Sequence, residues 1–310
     1  MTRIRTLASL AATVLAAGLI SVLAPSSAGA APGVCPGTGQ APVRVGQVPG
    51  ASLEGVVVDR SGRLYTTDLV SGRVFRMDYP GGPAYPIATV PSGGGGALAF
   101  MPDGRLLVGY GADPRVFAGD VLRSAGIVAL DVDTLAVTPF ASGLSAANGL
   151  AVTRDGTVYA TNDFASLIGQ VLPNGAVNPA WASFPSANGA ALSADDRYLY
   201  VSRSFVNPGV SRIPIANPGA PESLVNFAGL DTISIADGLT VDANGSVVVP
   251  TDITGDILRI DAPGTSCTIA SGLPLSSVIT YGNGAQGFSE GRLFRAGFDG
   301  AIYEIPGGRT

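Results

Sequence analysis

The chain has 310 residues, of which 46% are hydrophobic and 13% charged, with 18 basic residues against 23 acidic ones for a formal charge of −5. Every basic residue is arginine and there is no histidine, which excludes a Ser-His-Asp triad, a Cys-His pair, a Schiff-base lysine and a His-ligated zinc. An acidic surface without basic clusters argues against nucleic acid or an anionic membrane as partner.

In chain order, Arg3 and Arg5 precede an apolar run from Leu7 to Leu23 and the small-residue stretch Ala28-Gly29-Ala30. This reads as a secretory signal peptide over residues 1–30. A membrane anchor is the competing reading, for which a Gly- and Ala-rich run of this length is short. Residues 31–310 are expected to form one exported, soluble domain, free of the membrane after cleavage and monomeric. Cys35 and Cys267 are the only cysteines. In an oxidising compartment they predict a single disulfide, two free buried thiols being the alternative.

From Glu54 onward the sequence repeats a unit about 40 to 50 residues long. Each copy has an apolar strand, a Gly- or Asp-containing turn, a second strand, and then a Gly leading to a third. The copies begin at Glu54 ("EGVVVDRSGRLYTTD"), Gly96 ("GALAFMPDGRLLVGYG"), Asn148 ("NGLAVTRDGTVYATND"), Asn188 ("NGAALSADDRYLYVSRS"), Asp237 ("DGLTVDANGSVVVPTD") and Ser276 ("SSVITYGNG"). A weaker fourth strand lies between copies, as in "VTPFAS" and "SCTIAS". Short alternating strands split by Asp-Gly and Asn-Gly describe antiparallel hairpins. Four such strands repeated six times predict an all-β fold, a six-bladed β-propeller. The segment Val43–Pro49 resembles the fourth strand but precedes the first copy, so it is expected to complete the last blade and close the ring. The disulfide would then lock the closure. The second copy carries an insertion, Tyr110 to Ala125, with Arg115, Phe117 and Arg123; a lid over one mouth and a long surface loop are both open readings.

The first residue of each copy stands eight positions before the turn that follows its first strand. In a propeller that strand lines the central channel, so these residues face one another at one mouth. Glu54, Asn148, Asn188 and Asp237 would converge there, with Gly96 and Ser276 leaving space. Two carboxylates and two amides make a set of hard oxygen donors suited to one divalent cation, Ca²⁺ first, with Mg²⁺, Mn²⁺ or Zn²⁺ also accepting oxygen. The competing reading is that Asn-Gly and Asp-Gly are only turn formers. Asn162, Asp163, Arg203 and Asp252, at the ends of second strands, return to the same mouth. They read as an outer ring for ligand or substrate, or as strand-end caps.

These motifs resemble the senescence-marker-protein/gluconolactonase family, which includes regucalcin and luciferin-regenerating enzymes. Its glutamate opens the first blade, as Glu54 does in "LEGVVVD". Its "SNGL"-like and "DG-x-x-x-D"-like motifs match Asn188 in "ANGAALSADD" and Asp237 in "DGLTVDANG", and a further asparagine matches Asn148. "YATNDF", Tyr159 to Phe164, looks like a segment of the paraoxonases. The resemblance implies a channel metal and a general base at Asp237. The chain departs from it at Ala146, where the regucalcin kind has a substrate-binding arginine, and at Phe164, where paraoxonases have a histidine. The first functional expectation is a secreted metal-dependent hydrolase of a lactone or related ester. The second is a non-catalytic calcium-stabilised propeller binding an extracellular sugar, peptide or cell-wall partner. A strictosidine-synthase-like condensing enzyme is the third.

Overall fold

Inner strands such as Leu53–Val58 and Leu64–Asp68 are buried along nearly their whole length because each sheet is packed on both faces, successive side chains turning to one neighbouring sheet and then the other. The computed structural model describes residues 32–90 and 94–310, so the predicted signal peptide lies outside the described residues. Six sheets stand among them. Blade 1 runs Leu53–Val58, Leu64–Asp68, Arg73–Met77 and Tyr85–Thr89 from the axis outward. Blades 2 to 4 repeat that order, starting at Gly95–Phe100, Leu150–Val152 and Ala187–Leu192. Blade 5 starts at Thr240–Val241 and blade 6 at Ser276–Tyr281. The six innermost strands touch in sequence, and the sixth touches the first. That closed ring is a six-bladed β-propeller. No helix among the described residues is long and apolar enough to cross a membrane.

The core is divided accordingly into six apolar clusters, each between two adjacent blades. Val56, Val58 and Leu64 of blade 1 pack on Phe294 and Ile302 of blade 6. Tyr65 and Val74, on the other face of blade 1, pack with Leu98 and Val108 of blade 2. Period-two alternation thus serves two interfaces at once, and no sheet face needs water.

Closure follows the expected route. Val43–Gln47 pairs antiparallel with Ala301–Glu304 as the outer strand of blade 6. Gly33–Val34 adds a short fifth strand, parallel to Thr265–Ala270 of blade 5, and the Cys35–Cys267 disulfide forms there. The bridge therefore fastens the start of the chain to blade 5, one blade away from the strand that completes the ring.

The insertion folds as a 3-10 turn, Pro114–Ala118, and a single helical turn, Gly119–Leu122. Asp120 docks it: its carboxylate accepts from Ser145 Oγ at 2.7 Å, Ser166 N at 2.9 Å and Leu167 N at 3.0 Å. Those contacts hold it against blade 3.

Candidate active site

The glycine after each of Glu54, Asn148, Asn188 and Asp237 explains how these side chains reach the axis. Asn188-Gly189 lies inside the strand Ala187–Leu192 rather than in a turn, and neither Gly149 nor Gly189 has a positive φ. A Cβ on Gly149 would sit 2.3 Å from Asn188 O, and one on Gly189 2.6 Å from Asp237 O. Glycine is required because the neighbouring blade's backbone presses against it, which lets adjacent channel residues crowd together. The turn-former reading of these dipeptides is thereby displaced.

The chain enters its first strands through a recurrent kink. Gly94, Ser186, Ile235 and Leu275 all have positive φ, between 57° and 67°. Each stands two residues before a channel position: Gly96, Asn188, Asp237 and, in blade 6, Ser277. The count from the sixth turn led to Ser276, but that blade's first hairpin is longer. The pairing irregularity between Ser276 and Val278 places Ser277 in the channel position. Ser276 instead donates to Leu273 O and accepts from Arg295 Nε. For a β-branched residue such as Ile235 the left-handed conformation is strained, by roughly 1–3 kcal/mol.

Of the residues expected at the mouth, six come together. Asn148 Nδ2 donates to Glu54 Oε1 at 3.3 Å. Glu54 and Asp237 are buried, and so close that the Asp237 charge disturbs Glu54. Asp163 and Asp252 stand in electrostatic reach of this group, since Asp163 acts on both Glu54 and Asp237, and Asp252 acts with Asp237 and Glu54. Asn188 completes the set against Asp237. The other two turn away. Asn162 Nδ2 donates to Val116 O at 3.1 Å and Ser145 Oγ at 2.8 Å, fixing the insertion. Arg203 Nη2 donates to Val225 O and Asn226 Oδ1, both at 2.8 Å, tying blade 4 to its own outer strand.

Electrostatics makes this cluster costly on its own. Burial first, then the charges of Asp237 and Asp163, push Glu54 well above the usual carboxylate range. Burial pushes Asp163 up to about 7, and burial with the Asp163 charge pushes Asp237 up to about 8. Asp252 is also pushed well above its ordinary value, by burial and then by Asp237 and Glu54, with only Arg295 opposing. Glu54 Oε2, Asp163 Oδ1, Asn188 Oδ1 and Asp252 Oδ1 are buried without a hydrogen-bond donor. Among the described residues, no three acidic, cysteine or histidine side chains reach metal-holding spacing by themselves. Beneath the cluster a channel of about 390 Å³ runs along the first strands between Val57, Leu98, Leu239 and Val278.

Ser204 is a further site residue, in the register of Asp163: it stands two residues after Ser202, as Asp163 does after Thr161. Its hydroxyl donates to Ala236 O at 2.7 Å, so it must accept from Asn188 Nδ2 at 3.0 Å. That fixes the amide with its nitrogen towards Ser204 and its oxygen free.

A propeller with an acidic, oxygen-lined site at its axis is the class that this fold and site define. The chain belongs to the SMP-30/Gluconolactonase/LRE-like family, whose model matches residues 54–285. It is similar in structure to a gluconolactonase from Xanthomonas campestris, with a TM-score of 0.68 and 18% identity over 91% of this chain and 98% of that one. Regucalcin, a calcium-binding protein from Agrobacterium tumefaciens, superposes with a TM-score of 0.67 and 19% identity over 86% and 93%. Virginiamycin B lyase from Staphylococcus aureus does so with 0.53 and 15% over 83% and 84%. At these identities the likeness is one of fold. No curated protein sequence matches the chain.

Proposed function

We propose that the protein is a lactonase-type hydrolase, exported from the cell, that works with one divalent cation at Glu54, Asn148, Asn188 and Asp237. The observation that carries this reading is the convergence of four carboxylates, three of which, with the Asn188 amide, carry an orphaned buried oxygen, and almost no neutralising arginine. Burying such charge without compensation is expensive, and a cation supplies the compensation. The donors fit it, being hard oxygens with an amide oxygen already aimed by Ser204. Calcium suits a site of this kind best, and the four side chains named would leave part of its shell to water or substrate. The disulfide supports an oxidising compartment.

A divalent cation held there polarises an ester carbonyl and acidifies water. The chain's own residues do the rest. Asn148 holds Glu54 in place through its amide, and Ser204 holds Asn188. Asp237 takes the proton of the attacking water as the water oxygen bonds to the carbonyl carbon. The acyl C–O bond of the lactone then breaks, and the proton passes to the leaving alkoxide, giving the hydroxy acid. Its raised pKa would keep Asp237 protonated at neutral pH; a neighbouring positive charge reverses that shift and restores the base.

Hydrolysis of a lactone and aryl-ester panel, with calcium and with chelator, tests the proposal. Chelation and Asp237→Asn are each expected to lower kcat by about 10²-fold or more. Full activity in chelator would remove the cation from the mechanism. A calcium-dependent rise in Tm without turnover of any substrate would return the non-catalytic propeller.

A further inference from the structure

Three aromatic rings stand in contact at the mouth above this cluster. Phe117 of the insertion lies 4.3 Å from Phe164, centroid to centroid, and Phe164 stacks on Phe205 at 4.9 Å and 20°. They come from three different segments, and each is pinned. Phe164 N donates to Asn162 Oδ1 at 2.9 Å, Phe205 N to Ser186 Oγ at 2.8 Å, and the Phe117 turn is held through Val116 O by Asn162. Despite this order the rings are 64%, 41% and 39% exposed. Phe164 directly follows Asp163, and Ile253, 53% exposed, directly follows Asp252. Apolar surface therefore begins where the carboxylate cluster ends.

The polar groups nearby have little left to offer a polyhydroxylated ligand. Arg115 is paired with Asp113, Arg123 Nε donates to Asp120 O, and Arg203 turns its Nη2 to Ser223, Val225 and Asn226 of its own blade's outer strand. The amide nitrogens of Asn148, Asn162 and Asn188 all donate within the protein. Ala146 is buried and contributes no donor. Recognition of a sugar ring needs several free, placed hydrogen-bonding groups, whereas a wall of aromatic rings over a polar floor suits a ligand with one polar end.

We propose that the mouth takes a lactone or ester whose non-reacting part is an alkyl or aryl group, seated on the Phe117–Phe164–Phe205 wall. The proposal rests on the hydrolase reading for its chemistry but not for its binding. The experiment compares δ-decanolactone, δ-valerolactone and glucono-δ-lactone as substrates of the full protein with calcium, for the wild type, Phe117→Ala and Phe205→Ala. Alkyl-bearing lactone is expected to be the best of the three. Each substitution is expected to lower its kcat/KM about tenfold or more, mainly through KM, while moving δ-valerolactone less than about threefold. Because both substrates are measured on one preparation, a loss of folded protein cancels from the ratio. Preference for the glucono-lactone, or equal losses on both simple lactones, would overturn the proposal. Should no lactone be hydrolysed, calorimetric binding of the corresponding alkyl lactam separates the two claims. Binding weakened about tenfold by Phe205→Ala sustains the apolar seat and sinks the hydrolase, while no binding sinks the seat as well.

Discussion

At the scale of single residues, Asn188 shows what a repeat can and cannot reveal. Its position was legible because four copies carry an oxygen donor in the same register, Glu54, Asn148, Asn188 and Asp237. Its orientation was not, since Ser204, just past the end of Tyr198–Arg203, carries a hydroxyl where blades 3 and 5 carry Asp163 and Asp252, and nothing in the sequence says which Asn188 atom it holds. Asp163 and Asp252 were legible as residues at the mouth, but their charge contact with Asp237 was not, since strand spacing does not encode how far apart side chains of different blades end. Ser204→Ala removes the acceptor that holds the Asn188 nitrogen and frees the amide to rotate. The fold should survive, because the Ser204 side chain is small. Calcium affinity, measured by calorimetry, is expected to fall about 10- to 100-fold, the usual effect of losing a residue that orients a ligand. Unchanged affinity would mean that Asn188 contributes nothing to cation binding.

At the scale of elements, strand boundaries followed from alternation and turn glycines, while the ties between blades did not. Gly62, Gly104, Gly156 and Gly245 all take positive φ at their turns, as hairpin geometry requires, and Asp196 takes the same conformation without being glycine. The ties use second-strand hydroxyls. Thr67 Oγ1 accepts from Gly55 N at 2.9 Å and donates to Gly96 O of the next blade at 2.7 Å. Thr161 Oγ1 repeats this between Gly149 N, at 2.9 Å, and Asn188 O. Nothing in an isolated "YTTD" or "YATND" distinguishes such a strut from an ordinary strand threonine. Thr161→Val keeps the shape but leaves a buried N–H and a buried carbonyl unpaired. It is expected to lower stability by about 2–4 kcal/mol, read from urea unfolding followed by fluorescence. A loss below about 0.5 kcal/mol would show that the strut is dispensable.

At the scale of the whole molecule, the six-bladed ring was legible because it is a repeat, and closure because one strand was left over at the start. The blade that receives the disulfide depended on a two-residue strand too short to leave a pattern, Gly33–Val34. The ring also concentrates charge: each blade is built alike, yet four of its carboxylates end in one buried place. A carboxylate whose folded pKa is raised above its unfolded value near 4 contributes stability that is complete below pH 4 and lost as pH rises through the folded value. For Asp163 and Asp237 those folded values are about 7 and about 8, with Glu54 and Asp252 shifted in the same direction. Glu304, held below its ordinary range by Arg292, has the opposite sign and costs stability only as pH falls through its lowered folded value. Chelated protein should therefore be most stable near pH 5, with Tm declining steadily to pH 8.5. Calcium stabilises the ionised form of the cluster, so it should flatten the alkaline side, and the gap in Tm between loaded and chelated protein should widen with each step in pH. Scanning fluorimetry across pH 4.5 to 8.5, with calcium and with chelator, measures that gap. A chelated protein as stable at pH 8 as at pH 5 would mean that the four carboxylates carry their charge without strain and have no need of a cation.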